Sequence, residues 1–85
     1  MHTAHRGLVL IVEDNHNISG LMGDFLESRG YEVDYAGDGS EGYRLATEES
    51  HDVIVLDLGL PRMDGLEVCR KLRDNARMST PILVL

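Results

Sequence analysis

Cysteines, basic side chains and long apolar runs are all scarce in this sequence of 85 residues. Cys69 is the only cysteine, so an internal disulfide is excluded and nothing indicates an oxidising compartment. Lys and Arg number 8 against 15 Asp and Glu, and the net charge of −7 argues against a nucleic-acid-binding surface. No apolar stretch approaches the roughly 18 residues of a membrane span, and no signal peptide is visible. We therefore expect a cytoplasmic protein that contacts neither membrane nor nucleic acid through this segment.

The composition is that of one small folded domain. Hydrophobic residues make up 42% of the sequence and charged residues 27%, which is typical of globular domains and too apolar for a disordered acidic tail. The first apolar run begins at Leu8. We therefore expect residues 1–7 to form a flexible N-terminal tail and residues 8–85 to form the domain.

Four short segments have the patterns of β-strands. Residues 8–12, 53–56 and 82–85 are unbroken apolar runs, which favour strands buried on both faces of a parallel sheet. Residues 31–35 instead alternate apolar and charged side chains, which favours a strand with one solvated face at a sheet edge.

Three helices are predicted between these strands. Ile18, Leu21, Met22, Phe25 and Leu26 form one apolar stripe on a helix over residues 17–29. Asn15 or Asn17 can cap its start, and Gly30 can end it.

The second helix begins after Asp38 or Ser40 and runs to about Glu49, although Gly42 inside it costs about 1 kcal/mol relative to Ala. The third covers residues 64–74, where Asp64 and Glu67 resemble a capping box. We expect Leu66, Cys69 and Leu72 to face inward from this helix.

The alternation of strands and helices predicts an α/β fold with a doubly wound parallel sheet. In such sheets, functional groups gather beyond the carboxyl ends of the strands. Glu13 and Asp14 directly follow the first strand, and Asp57 directly follows the third. If those two strands are neighbours, three carboxylates meet at one rim, where their mutual repulsion favours a bound cation such as Mg²⁺.

Two segments together resemble a known family. Residues 12–15 read Val-Glu-Asp-Asn after a buried strand, and residues 57–65 read Asp-Leu-Gly-Leu-Pro-Arg-Met-Asp-Gly. In this combination the chain resembles, over about residues 8–85, the receiver domain of two-component response regulators. The resemblance implies a flavodoxin-like sheet of strand order 2-1-3-4 and a role in phosphorelay signal transduction rather than as an enzyme.

The resemblance also implies a role for each site residue. Asp57 would accept a phosphoryl group from a sensor histidine kinase or a phosphotransfer protein. Asp14 would bind Mg²⁺ directly, Glu13 would bind it through a water molecule, and Asp57 and the main-chain carbonyl of Gly59 would complete the protein ligands. Residues 60–67 resemble receivers attached to winged-helix DNA-binding domains, which implies transcription regulation. Kinase specificity is expected on the first helix, around Leu21 and Met22.

The predicted elements stop at the fourth strand, whereas a complete receiver resembles a unit of five strands and five helices. This sequence has no counterpart of the fifth strand or of the last two helices. It also lacks the Ser or Thr and the Lys that contact the phosphoryl group in the family, because Thr80 and Lys71 both precede the fourth strand and cannot replace them.

One alternative is therefore an interaction or oligomerisation fragment that never carries phosphate. A phosphohydrolase using an aspartyl phosphate is disfavoured, because it needs an Asp where Gly59 stands. An exposed apolar edge strand at 82–85 predicts self-association or domain exchange through that edge, or marginal folding.

Overall fold

Four parallel strands and three helices alternate along the part of the chain that the structure describes. A computed structural model describes residues 6–57, 64–74 and 78–85. The elements are β1 (Gly7–Val12), α1 (His16–Ser28), β2 (Tyr31–Ala36), α2 (Gly39–Glu48), β3 (Val53–Leu56), α3 (Gly65–Asp74) and β4 (Ile82–Val84). The predicted elements are thus all present, and their ends differ from the prediction by at most two residues.

The sheet has the order β2-β1-β3-β4, and every neighbouring pair is parallel. The predicted flavodoxin-like arrangement is therefore confirmed. β1 is central, and Leu10 and Ile11 are completely buried because neighbouring strands and helices cover both faces. β2 lies at one edge, as its alternating sequence predicted, and β4 lies at the other.

Helices cover the two faces of the sheet unequally. α2 and α3 pack on one face, over a core of Leu10, Val12, Ala36, Ala46, Ile54, Leu56, Val68 and Leu72. α1 lies on the other face over β1 and β2, where Met22 and Leu26 pack against Val9, Ile11 and Val55. The α1 face of β3 and β4 is therefore less well covered.

One expectation about helix faces needs correction, the inward placement of Leu66. Leu66 is 64% exposed, and Val68, which the prediction did not place inward, is fully buried in its place. Ile18, Leu21 and Phe25, which belong to the apolar stripe predicted on the first helix, are 44%, 72% and 58% exposed. The physical reason is that α1 contacts mainly β1 and β2, so only the Met22 and Leu26 part of its stripe meets the sheet.

Side-chain caps fix where each helix starts. The Oδ1 atom of Asn15 accepts hydrogen bonds from the backbone N–H groups of Asn17 and Ile18, at 3.0 and 3.2 Å. Asp38 accepts from Glu41 at 2.8 Å, and Asp64 accepts from Glu67 at 3.0 Å. Gly30, with φ +94°, has the left-handed conformation that ends α1. Asn15 and Asp38 are thus the capping residues among the predicted alternatives.

Gly42 allows α2 to approach β1 closely. A Cβ atom at this position would lie 2.7 and 2.9 Å from the two methyl carbons of Val12, which is too close for a normal contact. The helix-propensity cost of Gly42 is therefore offset by close packing of α2 on the sheet. Gly20 in α1 differs, because a Cβ atom there would have nothing within 4 Å.

We expect Gly42→Ala to lower the stability of the domain by about 1–2 kcal/mol, because overpacking outweighs the improved helix propensity. Gly20→Ala is the matched control and should raise stability by about 0.5–1 kcal/mol. Urea denaturation followed by circular dichroism measures both. Equal stabilisation by the two substitutions would show that α2 can move away from Val12 at no cost.

Candidate phosphoacceptor and metal site

The ends of β1 and β3 bring three carboxylates together at one rim of the sheet. Val12 and Leu56 are register partners, so Glu13 and Asp57 leave adjacent strands side by side. One oxygen each from Glu13, Asp14 and Asp57 can be chosen so that all three lie within 4.8 Å of one another. The predicted convergence of these residues is therefore present in the structure.

Backbone hydrogen bonds hold the two strand ends in place. The N–H of Asp57 donates to the carbonyl of Val12 at 3.1 Å, and the N–H of Glu13 donates to the carbonyl of Ala36 at 3.0 Å. These bonds extend the sheet pairing by one residue beyond the strands. The main chain of both acidic residues is therefore as firmly placed as the sheet itself.

The three carboxylates differ in their exposure to water. Glu13 is buried, Asp57 is half-buried and Asp14 is exposed. Burial raises the pKa of Glu13 above its ordinary value of 4.5, and the nearby Asp57 and Asp14 raise this pKa further. A hydrogen bond from the N–H of Asn15, at 3.2 Å to Oε2, acts in the opposite direction and favours the charged form.

The start of α1 supports the same cluster. Asn15 caps the helix with its side chain and donates its own N–H to Glu13. α1 begins at His16, directly after the acidic residues, so its N-terminus points toward the rim and its dipole favours negative charge there. One short segment thus positions Glu13 and begins the helix.

The carboxylates have the chemistry that Mg²⁺ requires. They supply hard oxygen ligands in a group that carries excess negative charge, and a cation would favour the charged form of Glu13 against the burial and the neighbouring carboxylates that raise its pKa. Gly59, the remaining expected ligand, lies outside the described residues.

No helix within the described part of the chain is long and apolar enough to cross a membrane. A parallel α/β sheet with an acidic pocket at the carboxyl ends of two adjacent strands is typical of doubly wound α/β domains, which bind their ligands at this edge of the sheet. Comparison with known proteins identifies the family within that class. Residues 9–85 match the response regulator receiver domain, and the chain belongs to this family.

Relatives of known sequence and structure agree with this assignment. The chain is 44% identical over 77 residues to the alkaline phosphatase synthesis transcriptional regulatory protein PhoP of Bacillus subtilis, covering 91% of this chain and 32% of PhoP. It superposes on the Francisella response regulator 1452 receiver domain with a TM-score of 0.88 and 29% identity, covering 93% of this chain and 64% of the other. The chain spans about a third of the length of the curated relatives it matches.

A second solved structure is also similar to this chain. The receiver domain of sensor histidine kinase PA1611 from Pseudomonas aeruginosa, which holds a magnesium ion in its active site cleft, matches with a TM-score of 0.86 and 34% identity. The match covers 95% of this chain and 66% of that one. The expected receiver fold and family are therefore confirmed.

Proposed function

We propose that Asp57 accepts a phosphoryl group from the phosphohistidine of a sensor histidine kinase or a phosphotransfer protein, with Mg²⁺ bound at the same rim. The observation that carries this proposal is the clustering of Glu13, Asp14 and Asp57 oxygens within 4.8 Å. Membership of the receiver family supports it. The magnesium ion of the PA1611 receiver supports the choice of metal.

Asp57 is the best placed of the three carboxylates to act as the nucleophile. It follows β3 directly, its main chain is fixed by the bond to Val12, and its half-buried side chain remains accessible. In the reaction, a carboxylate oxygen of Asp57 forms a bond to phosphorus while the bond from phosphorus to the histidine nitrogen breaks. The electron pair of that bond returns to the imidazole ring, and Asp57 becomes an acyl phosphate.

The other two carboxylates would hold the metal. Asp14 is exposed and free of the constraints of the sheet core, which suits direct coordination, while the buried Glu13 is held by Asn15 and suits coordination through a water molecule. The carbonyl of Gly59 is proposed as a further ligand. When bound, Mg²⁺ would neutralise the charge that otherwise opposes the approach of a phosphoryl group to Asp57.

The phosphoryl group stays on the protein in this proposal, so the domain acts as a signalling switch and not as an enzyme with a released product. We further propose that it works in the cytoplasm, where a kinase can reach it. Several curated relatives, which are about three times as long as this chain, are transcriptional regulatory proteins. This supports a role for the domain in transcription regulation.

The experiment is incubation with a small-molecule phosphodonor, with and without Mg²⁺, followed by intact-mass analysis. We expect a single phosphoryl adduct that forms with Mg²⁺ and is reduced at least about tenfold when the metal is chelated. A folded protein that forms no adduct under either condition would contradict the proposal. It would favour the alternative of an interaction fragment that is not phosphorylated.

A further inference from the structure

Asn15 connects the acidic rim of the sheet to the first turn of α1. Its backbone N–H donates to Oε2 of Glu13 at 3.2 Å, and its Oδ1 accepts the N–H groups of Asn17 and Ile18 at 3.0 and 3.2 Å. Its carbonyl accepts the N–H of Ser19 at 3.0 Å, which is the first backbone bond of the helix. One residue therefore bonds a carboxylate of the candidate metal site on one side and three amides of α1 on the other.

The link between sheet and helix is short. The N–H of Glu13 still bonds to the carbonyl of Ala36 in β2, and α1 already begins at His16. Only Asp14 and Asn15 lie between these two points. The backbone of Asn15 is extended, with φ −87° and ψ 108°, so its N–H meets Glu13 while its side chain caps the helix. A restraint on either residue of the link therefore also restrains the first turn of α1.

The two ends of this link differ in how firmly they are held. Glu13 is buried and its main chain is paired with the sheet, whereas Asp14, Asn15 and Ile18 are exposed. The first amides of a helix have no partner within the helix, so the order of this turn depends on the capping oxygen of Asn15. The first turn of α1 is thus sensitive to a change at the rim.

We propose that Asn15 is a positioning residue that couples cation binding at the rim to the order of the first turn of α1. This inference rests on the metal site proposed above. With a cation bound there, Asp14 would be held in place and Glu13 would stay charged, which favours its hydrogen bond from Asn15. The magnesium ion in the active site cleft of the PA1611 receiver supports this choice of ligand.

The sign of the coupling follows from the charges at the rim. The N-terminus of α1 is the positive end of the helix dipole, which by itself disfavours a nearby cation. Three ionised carboxylates, however, carry one more negative charge than Mg²⁺ carries positive, so the occupied rim still favours the start of the helix. The restraint on Asp14 acts in the same direction. Cation binding and an ordered first turn should therefore favour each other, and by the same factor.

Isothermal titration calorimetry with Mg²⁺ alone, on the 85-residue protein, measures one direction of this coupling. Asn15→Ala removes the oxygen that accepts the N–H groups of Asn17 and Ile18 but keeps the N–H that meets Glu13. We expect it to raise the Kd for Mg²⁺ about 3- to 10-fold. Asn15→Ser supplies a capping oxygen again and should return the Kd to within about twofold of the original value.

Ala46→Gly is the control for a general loss of stability. Ala46 is buried on α2, in the core on the other face of the sheet from α1, and Gly at this position lowers helix stability about as much as the loss of a cap does. Urea denaturation verifies that Ala46→Gly and Asn15→Ala are similarly destabilised. The Kd for Mg²⁺ should change only in Asn15→Ala. An equal rise in both variants would mean that Asn15 has a merely structural role and would overturn the proposal.

NMR relaxation measures the other direction. Saturating Mg²⁺ should raise the backbone order parameters of Asn17 and Ile18 toward the value of about 0.85 that is typical of rigid backbone, and this rise should be lost in Asn15→Ala. Order parameters that fall on addition of Mg²⁺ would show that repulsion by the helix dipole dominates, which would overturn the proposal.

The remaining outcomes separate this inference from the proposed function. Unchanged order parameters, or an unchanged Kd in Asn15→Ala, would overturn the coupling and leave the phosphoacceptor role of Asp57 standing. A folded protein that binds no Mg²⁺ would overturn both the coupling and the proposed metal site.

Discussion

Asp57→Asn is expected to abolish phosphoryl transfer to this domain. An amide oxygen is a much weaker nucleophile than a carboxylate, and Asn also removes one negative charge from the proposed metal site. The substitution preserves size and the backbone bond to Val12, so the fold should be retained. Intact-mass analysis after incubation with a phosphodonor and Mg²⁺ should show no adduct where the original protein shows one.

Two controls separate this result from a general loss of reactivity. Asp24→Asn makes the same chemical change at an exposed carboxylate on α1 and should leave the yield of adduct unchanged. The adduct of the original protein should be released by hydroxylamine, which attacks acyl phosphates. If Asp57→Asn still gains phosphate and Asp14→Asn does not, the acceptor is Asp14 and the proposed assignment of roles is wrong.

Glu13→Gln is expected to weaken Mg²⁺ binding by about 10- to 100-fold. Gln keeps an oxygen that can accept the N–H of Asn15 but carries no charge, so it tests the charge of Glu13 with little change in shape. Isothermal titration calorimetry with Mg²⁺ alone measures the effect. Glu27→Gln, on the exposed surface of α1, is the matched control and should bind Mg²⁺ as the original protein does.

The same substitution should change how stability depends on pH in the absence of metal. Burial, Asp57 and Asp14 raise the pKa of Glu13 above 4.5, so the folded state favours the protonated carboxyl. The resulting stabilisation is fully present below pH 4.5 and is lost as the pH rises through the raised pKa. Gln is neutral throughout, so Glu13→Gln should raise the Tm at pH 7 and leave it nearly unchanged at acidic pH.

Thermal melts with a chelator at several pH values measure this effect, and Mg²⁺ should reduce the difference at pH 7 by stabilising the original protein. A lower Tm for Glu13→Gln at neutral pH without metal would contradict the prediction. It would mean that the hydrogen bond from Asn15 outweighs the cost of burying the charge.

The sequence predicted the sheet and the site because both depend on local patterns. The unbroken apolar run ending at Val12 specifies a strand buried on both faces, and the acidic residues directly after it must then lie at the carboxyl rim. The same holds for the run from Val53 to Leu56 and Asp57. Chain order and parallel pairing were sufficient to bring these ends together.

Features that depend on packing between residues far apart in the sequence could not be predicted from local patterns. The pattern on α3 could not show that Val68 meets the core while Leu66 faces water, because that depends on where α2 lies. Gly42 could be recognised from the sequence as unfavourable for a helix, but its close approach to Val12 is visible only in the three-dimensional structure. The contact between the buried His51 and the half-buried Asp34, 2.9 Å from Nε2 to Oδ2, joins residues 17 apart and has no signal in the local sequence.

The backbone bonds at Glu13 and Asp57 have a consequence for motion. The amide protons of both residues take part in the sheet pairing, so the Glu13 amide should exchange with solvent only when β1 separates from β2, and the Asp57 amide only when β3 separates from β1. The cation would then bind a rim whose main chain is already rigid. Its binding free energy would therefore not be reduced by an entropy cost for ordering the main chain of Glu13 and Asp57. Affinity for the ion and protection from exchange should therefore decline together in variants that loosen β1 or β3.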